Sequence, residues 1–118
     1  MSGFKVTMAR ILLIAPDSAL RRSLEFALGA EGHSVTSRAS IAARERPDYD
    51  CTVLDQHAIG NDTVSAARFC DIFSPVILLT NNISHPLAGN AFRTLLKPLL
   101  GAALIGAIDE ALKRTVTT

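Results

Sequence analysis

Three short runs of the chain are apolar almost from end to end: ILLIA from Ile11, CTVLD from Cys51 and VILLT from Val76. Strands covered on both faces read this way, because neither side chain row meets water. Two weaker strands are expected at the Val35 segment after Gly32 and at FRTLL, Phe92 to Leu96. Amphipathic stretches separate these runs. The first begins after Pro16-Asp17-Ser18 and reaches about Ala30, with Leu20, Leu24, Ala27 and Leu28 at helical spacing and Gly32 as its stop. A second conventional helix spans about Thr63 to Ile72, and the last starts after Pro98 and runs to about Arg114. Ile41 to Arg46 leaves room for one short helix, which Pro47 ends by restricting the residue before it. Between Thr80 and Phe92, Pro86, Gly89 and three Asn residues oppose a helix, so the one expected there is short or missing. The alternation predicts an α/β fold: a doubly wound, five-stranded parallel sheet with helices on both faces and a reduced fourth helix.

The length of 118 residues suits one domain with a continuous core. Residues 1–8 are read as an N-terminal extension and 9–115 as the domain. Twelve basic against eleven acidic residues, with no Lys or Arg cluster, disfavour nucleic acid as a partner. MSGFKVTM lacks the apolar centre of a signal peptide, and no apolar run approaches a membrane span, so a cytoplasmic protein without a membrane partner is expected. Cys51 and Cys70 fall in a strand and a helix and read as buried, reduced thiols. His33 and His85 have no cysteine or carboxylate at ligand spacing and read as surface residues.

In parallel sheets, sites form at the carboxyl ends of the strands. Asp55 and Thr80 end two apolar runs, and Lys97, followed by Pro98, comes just after the fifth strand. A carboxylate, a hydroxyl and an ammonium converging there suit phosphoryl acceptance: nucleophile, oxygen donor and charge neutraliser. With this order, and with the opening ARILLIAPDSALRRSLEFAL, the chain resembles the receiver domain of two-component response regulators from about Ala9 to Arg114. The resemblance implies a CheY-like, flavodoxin-like sheet in the order 2-1-3-4-5, with Asp55 as phosphoacceptor, Thr80 as switch hydroxyl and Lys97 as phosphate contact.

The departures from that family are specific. Receivers end their first strand with two acidic residues that hold Mg²⁺, and here Ala15 and Pro16 stand there. Asp17 is a weak substitute and reads foremost as the cap of the first helix. With Asp55 and Lys97 already cancelling in charge, Mg²⁺ binding is expected to be weak or absent, and no other cofactor is implied. Ile59 and Thr63 replace the family's loop Pro and Gly, and Thr94 replaces its switch aromatic, with Phe92 two residues earlier. His57 reads as a polar loop residue, or in a sharper alternative as a pH sensor.

The expected function is a non-enzymatic pseudo-receiver in a two-component or phosphorelay system, acting by contact with a histidine kinase or phosphotransfer protein. The helix face of Ala19, Arg22, Ser23 and Phe26 is the candidate docking surface, since the family uses this face for its phosphodonor. Ile105 and Leu112 extend the apolar arc of the last helix, Leu100 to Arg114, and either form a two-fold homodimer contact or pack under neighbouring loops. The alternative is a small-ligand or nucleotide-binding enzyme on the same fold. Against it, the loop APDSAL lacks glycine, and neither G-x-G-x-x-G nor G-x-x-x-x-G-K-[ST] occurs.

Overall fold

A computed structural model describes residues 9–42, 44–82, 84–98 and 101–116. Its elements follow as β1 (Arg10–Ile14), α1 (Ser18–Ala30), β2 (Ser34–Arg38), β3 (Cys51–Asp55), α2 (Thr63–Ile72), β4 (Val76–Thr80), β5 (Arg93–Leu96) and α3 (Gly101–Val116). All strand pairs are parallel, and the sheet order is β2-β1-β3-β4-β5.

Alternate residues of each central strand feed two separate cores. Ile11, Leu13, Val53 and Ile77 pack under Leu28 of α1 and Ile108 of α3. Leu12, Ile14, Leu54 and Leu78 point the other way and pack with Phe69 of α2 and Leu87. Every residue of β3 and β4 is buried, which is why their sequences are apolar apart from Thr52 and the terminal Asp55 and Thr80. The edge strands β2 and β5 are half-exposed and carry the weaker patterns SVTSR and RTLL. Cys51 belongs to the first core and Cys70 to the second, so the sheet lies between the two free thiols.

Asp17 starts α1 by accepting the backbone N–H of Ala19 at 2.9 Å and of Leu20 at 3.4 Å. Asp62 does the same for α2 through the N–H of Ser65 at 3.0 Å. After α1, Gly32 turns the chain with φ of 92°, a region that disfavours side chains.

Two expectations of the sequence need correction here. No helix forms among the described residues between Ile41 and Arg46. Six residues make too little helix to repay nucleation. Instead the segment is tied back to the sheet edge, with Glu45 accepting from Arg38 Nε at 2.9 Å and from Tyr49 Oη at 3.1 Å. His33, read as a surface residue, is buried to 9% exposure between α1 and β2, with its backbone N–H on Leu28 O at 3.3 Å. His85 is half-buried.

The described residues between β4 and β5 form turns and no helix, as Pro86 and Gly89 lead one to expect. Leu87 alone is buried there, and the turns close through Ala88 N–H to His85 O at 2.9 Å and Asn90 N–H to Leu87 O at 2.9 Å. Amides from Ser84 to Asn90 should therefore exchange with solvent deuterium far faster than those of β4. Equal protection in the two segments would show a stability that these turns do not account for.

Candidate functional site

The register brings three strand ends to one edge. Asp55 lies opposite Leu79 on β4, Thr80 opposite Leu96 on β5, and the Lys97 N–H donates to Thr80 O at 2.9 Å. Asp55 is 1% exposed. Its extended backbone leads into a 3-10 turn, Gln56–Ala58, and the Asp55 side chain caps that turn.

The two carboxylate oxygens have different neighbours. Oδ2 accepts the backbone N–H of His57 at 3.1 Å and faces His57 Nδ1 at 3.0 Å. Oδ1 pairs with Lys97 Nζ as an ion pair that lacks hydrogen-bond alignment. Lys97 Nζ also lies 3.4 Å from His57 Nδ1. The structure thus joins Asp55 and Lys97 as expected and adds His57 to them.

Thr80 is buried but turned aside. Its hydroxyl donates toward Gln56 Oε1, which also takes the Asn81 N–H at 2.6 Å, and it accepts the Asn82 N–H at 3.0 Å. These partners do not include Asp55. Gln56 and His57 therefore choose the partners of the two expected site residues. The one sequence signal for this was the Asp-x-His step, since a carboxylate at a strand end readily accepts the N–H two residues on.

Around the end of β1, Ala15 is fully buried and its carbonyl accepts Arg21 Nη1 at 2.7 Å, with Pro16 O at 3.3 Å from the same nitrogen. The Asp17 carboxylate is engaged in capping α1. Among the described residues, no group of three or more His, Cys, Asp or Glu could hold a metal ion.

On the outer face of α1, Ala19, Arg22, Ser23 and Phe26 are all exposed, Phe26 to 81%. The expectation for α3 fails at Leu112, which is 3% exposed and part of the first core. It follows Ile108 by four residues, a rotation of about 40°, and so stays on the sheet-facing arc. Ile105 is half-buried, and Leu100 lies outside the described residues. The apolar strip that motivated a homodimer through α3 is not formed.

A five-stranded parallel sheet in this order, with Asp, Thr and Lys at the ends of successive strands, defines a receiver-type signalling domain. The transcriptional regulator protein FixT of Rhizobium meliloti (strain 1021) is 32% identical over 103 residues, spanning 85% of this chain and 90% of that protein. A response regulator receiver domain protein from Clostridium thermocellum superposes with a TM-score of 0.74 at 23% identity, covering 91% of this chain and 96% of that one. The receiver domain of the sensor histidine kinase PA1611 from Pseudomonas aeruginosa PAO1, solved with a magnesium ion coordinated in its active site cleft, gives 0.70 at 25% identity, over 89% and 98% of the two chains. No family model matches the chain. The chain belongs to the receiver family of two-component response regulators. No helix among the described residues is long and apolar enough to cross a membrane.

Proposed function

We propose that this chain is a cytoplasmic pseudo-receiver that signals by protein contact, binding a histidine kinase or phosphotransfer protein, with little or no Mg²⁺-dependent phosphorylation of Asp55. The observation that carries this reading is the closed state of Asp55: a buried carboxylate with one oxygen against an ammonium and the other accepting from His57.

The donor set does not suit Mg²⁺. That ion takes oxygen ligands in near-octahedral order, usually one or two carboxylates with water and phosphate oxygens. Here the residues after β1 offer carbonyls already bound by a guanidinium, and Asp17 holds a helix terminus. Lys97 supplies the positive charge that Asp55 needs. Without a cation to offset charge on the transferred group, acylphosphate formation on Asp55 is slow.

What remains available is surface. Phe26, Arg22, Ala19 and Ser23 form an exposed face on α1, where one aromatic and one arginine provide the residue types that anchor protein interfaces. With Leu112 inside the core, the corresponding argument for self-association through α3 lapses.

Treatment with Mg²⁺ and acetyl phosphate, followed by intact mass with and without hydroxylamine, tests the reading. Only traces of hydroxylamine-sensitive adduct are expected. A stoichiometric, Mg²⁺-dependent acylphosphate on Asp55 would make this a working receiver and end the proposal.

A further inference from the structure

Gln56 follows Asp55 directly, and its side chain reaches across to the end of β4. Its Oε1 accepts the Asn81 N–H at 2.6 Å and also the Thr80 hydroxyl. A backbone N–H only donates, so the carboxamide must turn its oxygen, and not its nitrogen, to this place. Two donors fill the two lone pairs of that oxygen. Thr80 is fully buried, and its Oγ1 accepts the Asn82 N–H at 3.0 Å and lies 3.1 Å from Asn82 O. The hydroxyl is thereby held between Gln56 and Asn82.

The contacts continue beyond Thr80 into the segment between β4 and β5. Asn82 Oδ1 accepts the Ser84 N–H at 2.9 Å, and Asn82 O accepts the His85 N–H at 3.0 Å. His85 accepts twice in its turn, from the Ala88 N–H at its carbonyl at 2.9 Å and from the Leu87 N–H at Nδ1 at 3.1 Å. Leu87 packs in the second core. A run of hydrogen bonds thus leads from the residue beside Asp55 to the buried anchor of these turns. Toward β5 there is no equivalent, since Thr94 brings no aromatic ring to follow Thr80.

We propose that Gln56 is a latch that couples the turn after Asp55 to the β4–β5 segment. The Asp55 carboxylate caps the 3-10 turn that begins with Gln56, so whatever Asp55 pairs with sets where the carboxamide stands. When that turn shifts, Oε1 leaves the Asn81 N–H and the Thr80 hydroxyl, and the turns held by Asn82 loosen. Those turns carry no helix, so few hydrogen bonds resist the change. The inference goes beyond the function proposed above and does not depend on whether Asp55 takes a phosphoryl group. A second route joins the same residues: Lys97 pairs with Asp55 and donates its N–H to Thr80 O. That route holds the Thr80 backbone, whereas Gln56 holds its side chain and the next amide, so mutation separates the two.

The test is NMR of the whole chain, native and as Gln56→Leu, Gln56→Asn and Gln56→Glu. Leu removes the acceptor and Asn draws it back by one methylene. Both should speed amide exchange at Asn81 and Asn82 about tenfold and shift the signals of Ser84, His85 and Leu87. Glu keeps an oxygen at the same reach and should restore the native rates, a rescue that filling space alone would not give. Native protection of β1 and β3 amides shows that a variant is folded, and Gln56→Asn decides the matter should Gln56→Leu not fold. For the coupling itself, Asp55→Asn should shift the Asn82, Ser84 and His85 amide signals in the native background, and most of that response should vanish in Gln56→Leu. Native exchange in both Gln56→Leu and Gln56→Asn, no rescue by Gln56→Glu, or an Asp55→Asn response that keeps its full size without Gln56 overturns the proposal. The last of these would assign the coupling to Lys97. None of them bears on signalling by protein contact, which the acetyl phosphate experiment tests separately.

Discussion

Replacing Lys97 by Met should lower the free energy of unfolding by about 3 kcal/mol, the low end of what breaking a buried ion pair costs. Asp55 is 1% exposed, and without the ammonium its Oδ1 has no compensating group among the described residues. The low end applies because Oδ2 keeps two contacts from His57 and because the Lys97 side chain is itself partly exposed. Asp55→Asn removes the charge instead and leaves Lys97 free to turn toward water, so about 1 kcal/mol is expected from it. The double variant should be close to Asp55→Asn alone, which gives a coupling of about 3 kcal/mol in a double-mutant cycle. The surface pairs Arg10 with Asp48 and Arg93 with Glu110 serve as contrast: all four side chains are about half-exposed, and breaking either pair should change stability by less than about 1 kcal/mol. Urea unfolding at neutral pH measures all of these. A Lys97→Met chain within about 0.5 kcal/mol of the native one would show that Asp55 does not depend on its ammonium.

The central strands were legible because physics leaves them little choice. A strand covered on both faces must be apolar at consecutive positions, and the runs at Ile11, Cys51 and Val76 satisfy that within a residue of the observed bounds. The start of α1 was equally readable, since Asp17 is both a good acceptor and the last residue before the helical pattern. The Ile41 to Arg46 segment was not, because its conformation is decided by Glu45 reaching Arg38 and Tyr49, contacts that local spacing does not encode. Leu112 failed for a related reason. A stripe drawn for one packing surface underestimates the buried arc of α3, which packs in one core with β-strand residues and with α1.

The site divides in the same way. Topology alone carries Asp55, Thr80 and Lys97 to one edge, so their convergence followed from strand order and from where each run ends. Which atoms then meet depends on the 3-10 turn after β3. That turn places His57 on Asp55 and Gln56 on Thr80, and it is set by a few backbone angles rather than by periodicity. Arg21 is a further case: on a helical wheel it is one polar residue among several, yet it donates to the carbonyls that follow β1.

Stability should fall steeply as pH rises from about 9 to 11, and the two cysteines should cause most of the fall. Burial pushes the Cys51 thiol up to about 12, reinforced by neighbouring Asp50 and opposed by its backbone contact at Thr52. Burial likewise pushes Cys70 up to about 11, with Asp71 adding to it. Both ordinary values are 9.0, so above that pH the unfolded chain releases these protons while the folded chain keeps them. The unfolded state then binds fewer protons, and unfolding becomes more favourable with each unit of pH. Each thiol contributes on the order of 1 kcal/mol per unit in this window. Cys70 stops contributing near 11, and Cys51 near 12. Below pH 9 neither contributes, and the neutral thiols simply fill the two cores. Urea unfolding between pH 8 and 11 should therefore show a marked loss in the native chain, with a shallower slope in Cys51→Ala and the shallowest in the variant that also carries Cys70→Ala. Comparing slopes rather than absolute stabilities cancels the cavity that each truncation leaves. Iodoacetamide at pH 8 gives an independent check, since both thiols should resist it in the folded chain and react once urea exposes them. A native chain as stable at pH 11 as at pH 8, or a slope that survives both substitutions, would place the alkaline-labile groups elsewhere.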